Sequence, residues 1–214
     1  MTMIIKEIIK RFIVGVIQKY RKRGCKHIAN DAYIERNVRI YNRSNIIMEE
    51  STNINSGAII MNTRAKFIMK KWSGAAFGLT VITGGHISVP GKSHKMITNT
   101  DKELLDVNHE YDGDIIVEED VWLAANVTLL RGIRIGRGSI VGAGSVIRNN
   151  VPPYAILTGN PAKIVGFRFT PEEALIHERA LFQEHERMTI EELTDNYNKY
   201  FIKRLKEIKS FLKN

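Results

Sequence analysis

The stretch Val117–Pro152, VEEDVWLAANVTLLRGIRIGRGSIVGAGSVIRNNVP, divides without remainder into sixes. Position one is always aliphatic: Val117, Leu123, Leu129, Ile135, Val141 and Ile147. Position five is Val, Ile or Ser: Val121, Val127, Ile133, Ser139, Ser145 and Val151. An α-helix with 3.6 residues per turn cannot hold a six-residue repeat on one face. A flat strand alternates with period two. Two inward positions in every six suit a short strand followed by a corner, repeated. Three such units close one triangular coil, stacked coils bury the aliphatic columns, and the corners tolerate Gly, Asn and Asp. The period predicts a parallel β-helix.

The same phase runs upstream. Hexads begin at Met69, Ala75 and Val81, with Ser73, Leu79 and Gly85 in fifth position. Met69 and Val117 are separated by a multiple of six, so the count resumes in phase after an interruption. Weaker series start at Ile34, Ile40 and Ile46, and at Ile54 and Ile60. Between about Gly84 and Asp114 the pattern disappears. This segment is long and polar and contains Pro90, Gly91 and three of the six histidines. A structureless loop of that length inside a compact domain is usually functional. His86 closes the last hexad before it.

Helical patterns flank the repeat. Residues 1–30 form a basic amphipathic segment. Ile4, Ile5, Ile8, Ile9, Phe12, Ile13, Val16, Ile17 and Tyr20 recur at helical spacing, and Gly24 is placed to end the helix. Much of the formal net charge of +9 sits there, on Lys6, Lys10, Arg11, Lys19, Arg21, Lys22, Arg23 and Lys26 against Glu7. Such a helix either packs on its own domain or lies on an anionic membrane face. No motif for reading nucleic acid accompanies it. Residues 170–214 are expected to be helical. TPEE at Thr170 and TIEE at Thr189 are capping boxes, the first with Pro171 at its preferred site. The β-helix is expected over residues 31–169.

No apolar run approaches the ~20 residues that cross a bilayer. The first residues show no secretory leader pattern. The single cysteine, Cys25, cannot form an internal disulfide. Together these suggest a cytoplasmic protein, peripheral at the membrane if the basic helix binds it.

The DVW hexad, VGAGSV, the VPPYAI exit and GNPAK carry a family resemblance. Over roughly Ile34–Phe169 the chain resembles the hexapeptide-repeat acyltransferases with a left-handed β-helix. More narrowly, it is similar to the CoA-dependent O-acetyltransferases of galactoside, maltose, serine and streptogramin. The resemblance implies a homotrimer, with acetyl-CoA running along the coils in clefts between subunits. It also implies one catalytic histidine at the start of the extruded loop, and ITGGH puts His86 in that slot. For the cofactor it implies Ala125, Ala143, Lys163 and Arg148. Arg148 and Asn149 stand where relatives carry a Thr-Lys pair, which puts that contact in doubt. A later family arginine falls near Gly166, with Arg168 as the nearest substitute.

The chemistry agrees with the slot. An alcohol is scarcely ionised at neutral pH, so a neutral imidazole must take its proton as the oxygen attacks. A thioester is already activated and needs no covalent enzyme intermediate. Backbone N–H groups near the small corner residues suit the oxyanion, and Gly84 and Gly85 permit close approach. His94 and His109 are read as loop residues. Some proteins of this fold are zinc carbonic anhydrases with three histidines, two of them five residues apart. The loop histidines at 86, 94 and 109 lack that spacing, so no metal is expected.

The function expected is acetyl transfer from acetyl-CoA to a hydroxyl of a sugar or glycan. The alternatives are acetylation of an antibiotic of the streptogramin or chloramphenicol type, N-acetylation of an amino sugar, and a trimeric scaffold without catalysis. Trp122 either walls the acceptor cleft or caps a corner, and Asn55 and Asn62 lie near the expected acceptor site without an assigned role.

Overall fold

The structure is a computed structural model that describes residues 2–213, with side chains from Ile5 to Lys213. The side chain of Ile4, expected on the apolar helix face, therefore lies outside the described side chains. The chain opens with helix α1 (Thr2–Arg21) and turns at Gly24, whose φ of 84° is in the left-handed region.

Five coils follow. The first holds β1 (His27–Ile28), β2 (Tyr33–Ile34) and β3 (Arg39–Ile40). The second holds β4 (Ile46–Met48), β5 (Asn53–Ile54) and β6 (Ile59–Met61), and the third β7 (Phe67–Met69), β8 (Gly74–Ala75) and β9 (Thr80–Ile82). After a long excursion come β10 (Ile115–Val117), β11 (Trp122–Leu123) and β12 (Thr128–Leu130). The fifth coil is β13 (Arg134–Ile135), β14 (Ile140–Val141) and β15 (Val146–Ile147). Each coil gives one strand to each of three parallel sheets, and an antiparallel hairpin of β16 (Ala155–Thr158) and β17 (Lys163–Phe167) extends the second sheet. The first strand begins at His27, four residues before the boundary expected from the sequence.

The register explains the hexads. Along the second sheet Ile34, Ile54, Ala75, Leu123, Val141 and Leu157 face one another in turn. Met69 pairs with Val117 across the long excursion, so the phase deduced from the sequence is the strand register. The six position-one side chains are at most 2% exposed and the six position-five side chains at most 4%. Truncating one, such as Leu129 to Ala, is expected to cost about 2–5 kcal/mol. The two buried serines of this row satisfy themselves locally. Ser139 donates to Pro152 O at 3.0 Å, and Ser145 donates to Gly142 O at 2.6 Å. Position four makes the corner: Asp120, Asn126, Gly132, Gly138 and Gly144 all have φ between 56° and 72°.

One expectation changes in the early coils. The series from Ile40 slips, because the 3₁₀ turn Arg43–Asn45 adds residues to that corner. Ile46 therefore occupies the fifth-position row, opposite Phe67, and Met48 takes the first-position row. Asn62 is fully buried and is used within the fold. Its Oδ1 accepts from Asn42 N and its Nδ2 donates to Asn42 O.

Helix α1 is anchored chiefly at its end. Gln18 is buried, donating to Ile34 O at 2.9 Å and accepting from Ile34 N at 3.0 Å. Ile5, Ile8, Ile9, Phe12, Ile13, Val16, Ile17 and Tyr20 are exposed. No described helix is long and apolar enough to cross a membrane.

The excursion contains a helix that the sequence pattern did not reveal, α2 (Asn99–Leu105), capped by Thr98 and Asp101. At the C-terminus α3 (Pro171–Leu181) and α4 (Ile190–Tyr200) start at the expected capping boxes of Thr170 and Thr189. The last amphipathic stretch is broken at Phe201 and resumes as α5 (Leu205–Lys213). Helix α3 docks through a buried polar cluster. Glu178 accepts from Tyr154 Oη at 2.5 Å, from Arg137 at 2.8 Å and from Met188 N at 3.1 Å. Arg137 also pairs with Glu119 at 3.2 Å.

Candidate functional site

Strand β9 ends where the third sheet hands the chain to the first, and the backbone there is pinned from several sides. Thr83 is buried and donates to Met61 O at 3.2 Å. Gly84 bridges to Asp112 in antiparallel fashion, and Gly85 N donates to Tyr111 O at 2.6 Å. Lys102, reaching in from α2, donates to Gly85 O and to Asp112 Oδ1, both at 2.8 Å. The two ends of the excursion are thus tied together beside His86. His86 itself is exposed, while Ile87 is 3% exposed and anchors the other side. The imidazole therefore stands at the rim on a backbone fixed before and after it.

The glycines serve packing. A Cβ on Gly84 would collide with Asp112 Oδ1, and one on Gly85 would lie 3.0 Å from Arg131 Nη1. These close approaches are made to the chain's own side chains. Arg131 leaves β12 at the same corner and stacks 5.8 Å from the Tyr111 ring. Arg148 leaves β15, the next rung down. Arg148 shares a groove of about 230 Å³ with Lys163 and Arg204. His86, Arg131 and Arg148 thus follow strands of the third sheet at one corner, and Arg148 borders a groove with Lys163 and Arg204.

Ala125 and Ala143 sit elsewhere. They occupy the corner between the second and third sheets, stacked on successive coils, where Gly144 N donates to Ala125 O at 2.9 Å. Ala143 is exposed and Ala125 half-buried. Within one chain the two alanines and His86 are on different corners. Arg168 is engaged with Asp120 at 2.6 Å and lies 4.8 Å over the Phe169 ring. Lys163 lies 5.1 Å from the Phe211 ring. Trp122 is exposed and covers Gly74, where a Cβ would come within 3.1 Å of the indole. Asn55 accepts from Asn53 at 3.0 Å. A cavity of about 1260 Å³ between α1 and the first coil is lined by none of the expected site residues.

Arg131 went unassigned at the sequence level, though a signal for it existed. Residues eighteen apart at position three stack on the same corner, as the Glu119–Arg137 pair demonstrates. By that rule Arg131 belongs to the corner of Asn149 and its neighbour Arg148.

Residues 114–149 match the family model described as bacterial transferase hexapeptide (six repeats). The chain carries that repeat. It is 35% identical over 108 residues to a protein of Lysinibacillus sphaericus named "Probable macrolide acetyltransferase". That alignment covers 50% of this chain and 56% of the relative, so the match spans little more than half of the relative's length. Among solved structures, a hexapeptide-repeat containing acetyltransferase from Vibrio cholerae O1 biovar eltor, complexed with acetyl coenzyme A, superposes with a TM-score of 0.55. It is 20% identical, covering 72% of this chain and 75% of that one. A maltose O-acetyltransferase from Clostridium difficile 630 gives 0.52 at 24% identity, covering 66% and 67%. These likenesses establish the fold, that of the left-handed β-helix.

Proposed function

We propose that this hexapeptide-repeat chain is an acetyl-CoA-dependent O-acetyltransferase, with His86 as general base and a sugar or glycan hydroxyl as acceptor. The observation that carries the reading is the rim position of His86, exposed between the pinned Gly85 and the buried Ile87. A group that must meet a substrate has to be exposed, and a group that must meet it in one geometry has to stand on a fixed backbone.

In this reading the neutral imidazole of His86 takes the acceptor's hydroxyl proton while the oxygen attacks the thioester carbonyl. Collapse of the tetrahedral intermediate breaks the C–S bond. The CoA thiolate leaves and receives the proton from the imidazolium. Arg148 and Lys163 line a basic groove suited to the phosphates of CoA, with Arg131 at the same corner on the rung above and Arg204, paired with Glu207 at 2.9 Å, beside them. Ala125 and Ala143 leave room for the pantetheine on the other corner. A cleft between two subunits of a trimer would bring the two corners into one site.

The relative named for macrolide acetylation favours a second reading, in which the hydroxyl belongs to an antibiotic. The exposed aliphatic side chains and lysines of α1 are suited to an anionic membrane face, which would place the enzyme beside a cell-surface glycan acceptor. Thiol release from acetyl-CoA against a panel of sugars, nucleotide sugars and macrolides, for wild type and His86→Ala, tests the function and separates the acceptors.

A further inference from the structure

We propose that Asp106, His109 and Asp112, in the return limb of the excursion, form a binding site for a divalent first-row cation of the Zn²⁺ or Mn²⁺ type. Each residue offers one ligand atom, and these atoms lie within 4.8 Å of one another. The spacing follows from the local fold. Asp106 caps the end of α2, His109 N donates to Asp106 O at 3.0 Å, and Asp112 N donates to His109 O at 3.1 Å. Two successive turns therefore bring the three side chains to one side of the limb.

The independent pointer is a pair of buried, unpartnered carboxylate oxygens. Asp106 is 3% exposed, and the Asp112 side chain is 6% exposed. Among the described residues Asp106 Oδ2 and Asp112 Oδ2 have no hydrogen-bond partner. A buried anionic oxygen without a donor or cation is costly, so these two atoms are suited to receiving a cation. The other oxygens are engaged: Asp106 Oδ1 accepts weakly from Tyr111 N at 3.4 Å, and Asp112 Oδ1 takes Lys102 at 2.8 Å. Lys102 is one positive charge against two carboxylates. The nearby Arg64 is occupied by Glu103 at 3.4 Å. Among the described residues Asp106 makes no ion pair, so its carboxylate is left for a cation to neutralise.

Ligand chemistry selects the class. Imidazole suits zinc and its first-row neighbours, whereas Ca²⁺ and Mg²⁺ take all-oxygen shells. His109 is exposed, so three ligands would hold the ion with a position left open to solvent. Histidine spacing, which speaks against a three-histidine metal site, is silent on a mixed carboxylate–imidazole set. The site is independent of the acetyl-transfer reading. Its consequence is mechanical: the ion would fix Asp112, and through Lys102 the Gly85 carbonyl.

The test uses the untagged full chain, stripped with chelator and titrated calorimetrically with Zn²⁺, Mn²⁺, Ca²⁺ and Mg²⁺, with thermal unfolding followed in parallel. One Zn²⁺ or Mn²⁺ per chain is expected, with a rise in unfolding temperature and weak response to Ca²⁺ and Mg²⁺. Asp106→Asn keeps the shape of the side chain, and His109→Gly suits the φ of 53° at that position. Each is expected to weaken binding by at least about tenfold. His109→Gly alters an exposed residue, so it remains informative if Asp106→Asn misfolds. Absence of saturable binding, binding unchanged in His109→Gly, or equal affinity for Ca²⁺ would overturn the proposal.

Discussion

Lys102 Nζ lies 2.8 Å from the carbonyl oxygen of Gly85, the residue before His86. The same ammonium group holds Asp112 at the far end of the excursion. If His86 is the general base proposed above, Lys102 is a positioning residue for it. Lys102→Met removes the tie with little change of bulk. A displacement of about 1 Å at a reacting group can cost on the order of 100-fold. We expect kcat to fall by about ten- to a hundredfold, the KM for acetyl-CoA to stay nearly unchanged, and Lys102→Arg to recover part of the loss. An unchanged kcat in a folded Lys102→Met protein would remove this role.

The basic groove is expected to govern affinity for the cofactor. Losing a hydrogen bond to a charged group is worth about 1.5–3 kcal/mol, or roughly ten- to a hundredfold. Arg148→Ala and Lys163→Ala should each raise the KM for acetyl-CoA on that scale, less where solvent screens the contact, with turnover at saturation largely kept. Added salt should narrow the gap between wild type and variants. Direct binding of CoA, measured by calorimetry, checks both. Equal affinity in the double variant would place the nucleotide elsewhere.

The α3 docking cluster sets stability. Glu178 is fully buried, and Arg137→Met would leave its charge uncompensated, at a cost of about 3–5 kcal/mol in denaturant unfolding. Burial pushes the Glu119 carboxyl up, but its backbone hydrogen bond and the charges of Lys70 and Arg137 hold it below its ordinary value of 4.5. Stability from that depression is present above pH 4.5 and lost as pH falls through the lower folded value. Burial, then the hydrogen bond to Glu178 and its charge, raise the Tyr154 phenol above its ordinary 10.0. That contribution is complete below pH 10 and lost as pH rises beyond it. Unfolding free energy against pH should therefore fall at both ends, and Tyr154→Phe should flatten the alkaline limb.

Helix α1 supplies a separate test. If its exposed aliphatics and lysines meet lipid, the wild type floats with vesicles containing phosphatidylserine, and deletion of residues 1–26 abolishes this. Wild-type protein that stays unfloated would contradict the membrane reading of α1.

The regular coils could be read from the sequence because each hexad has two inward positions that only apolar or self-satisfying side chains fill. Even the jump from Met69 to Val117 was legible, since strand register preserves the count. The early coils were less so. At Ile46 a 3₁₀ turn lengthens the corner and moves an isoleucine from one inward row to the other, and isoleucine is at home in both. Helix α2 escaped notice because seven residues carry little periodicity and its cap pairs Thr98 with Asp101, where Glu or Gln is the stronger signal. His86 was placed by phase and resemblance, but its support was hidden. Nothing in the spacing of Lys102, Asp112 and Gly85 announces that they meet. Such contacts arise only when the excursion closes on itself.

The central claim is that His86 takes the acceptor's proton. The direct measurement is thiol release from acetyl-CoA, with an acceptor found active for wild type, compared between wild type and His86→Ala, with CoA binding measured on both. The account expects turnover to drop by about 100- to 10,000-fold, the usual worth of a general base, with CoA affinity retained. Near-wild-type turnover in His86→Ala would contradict it.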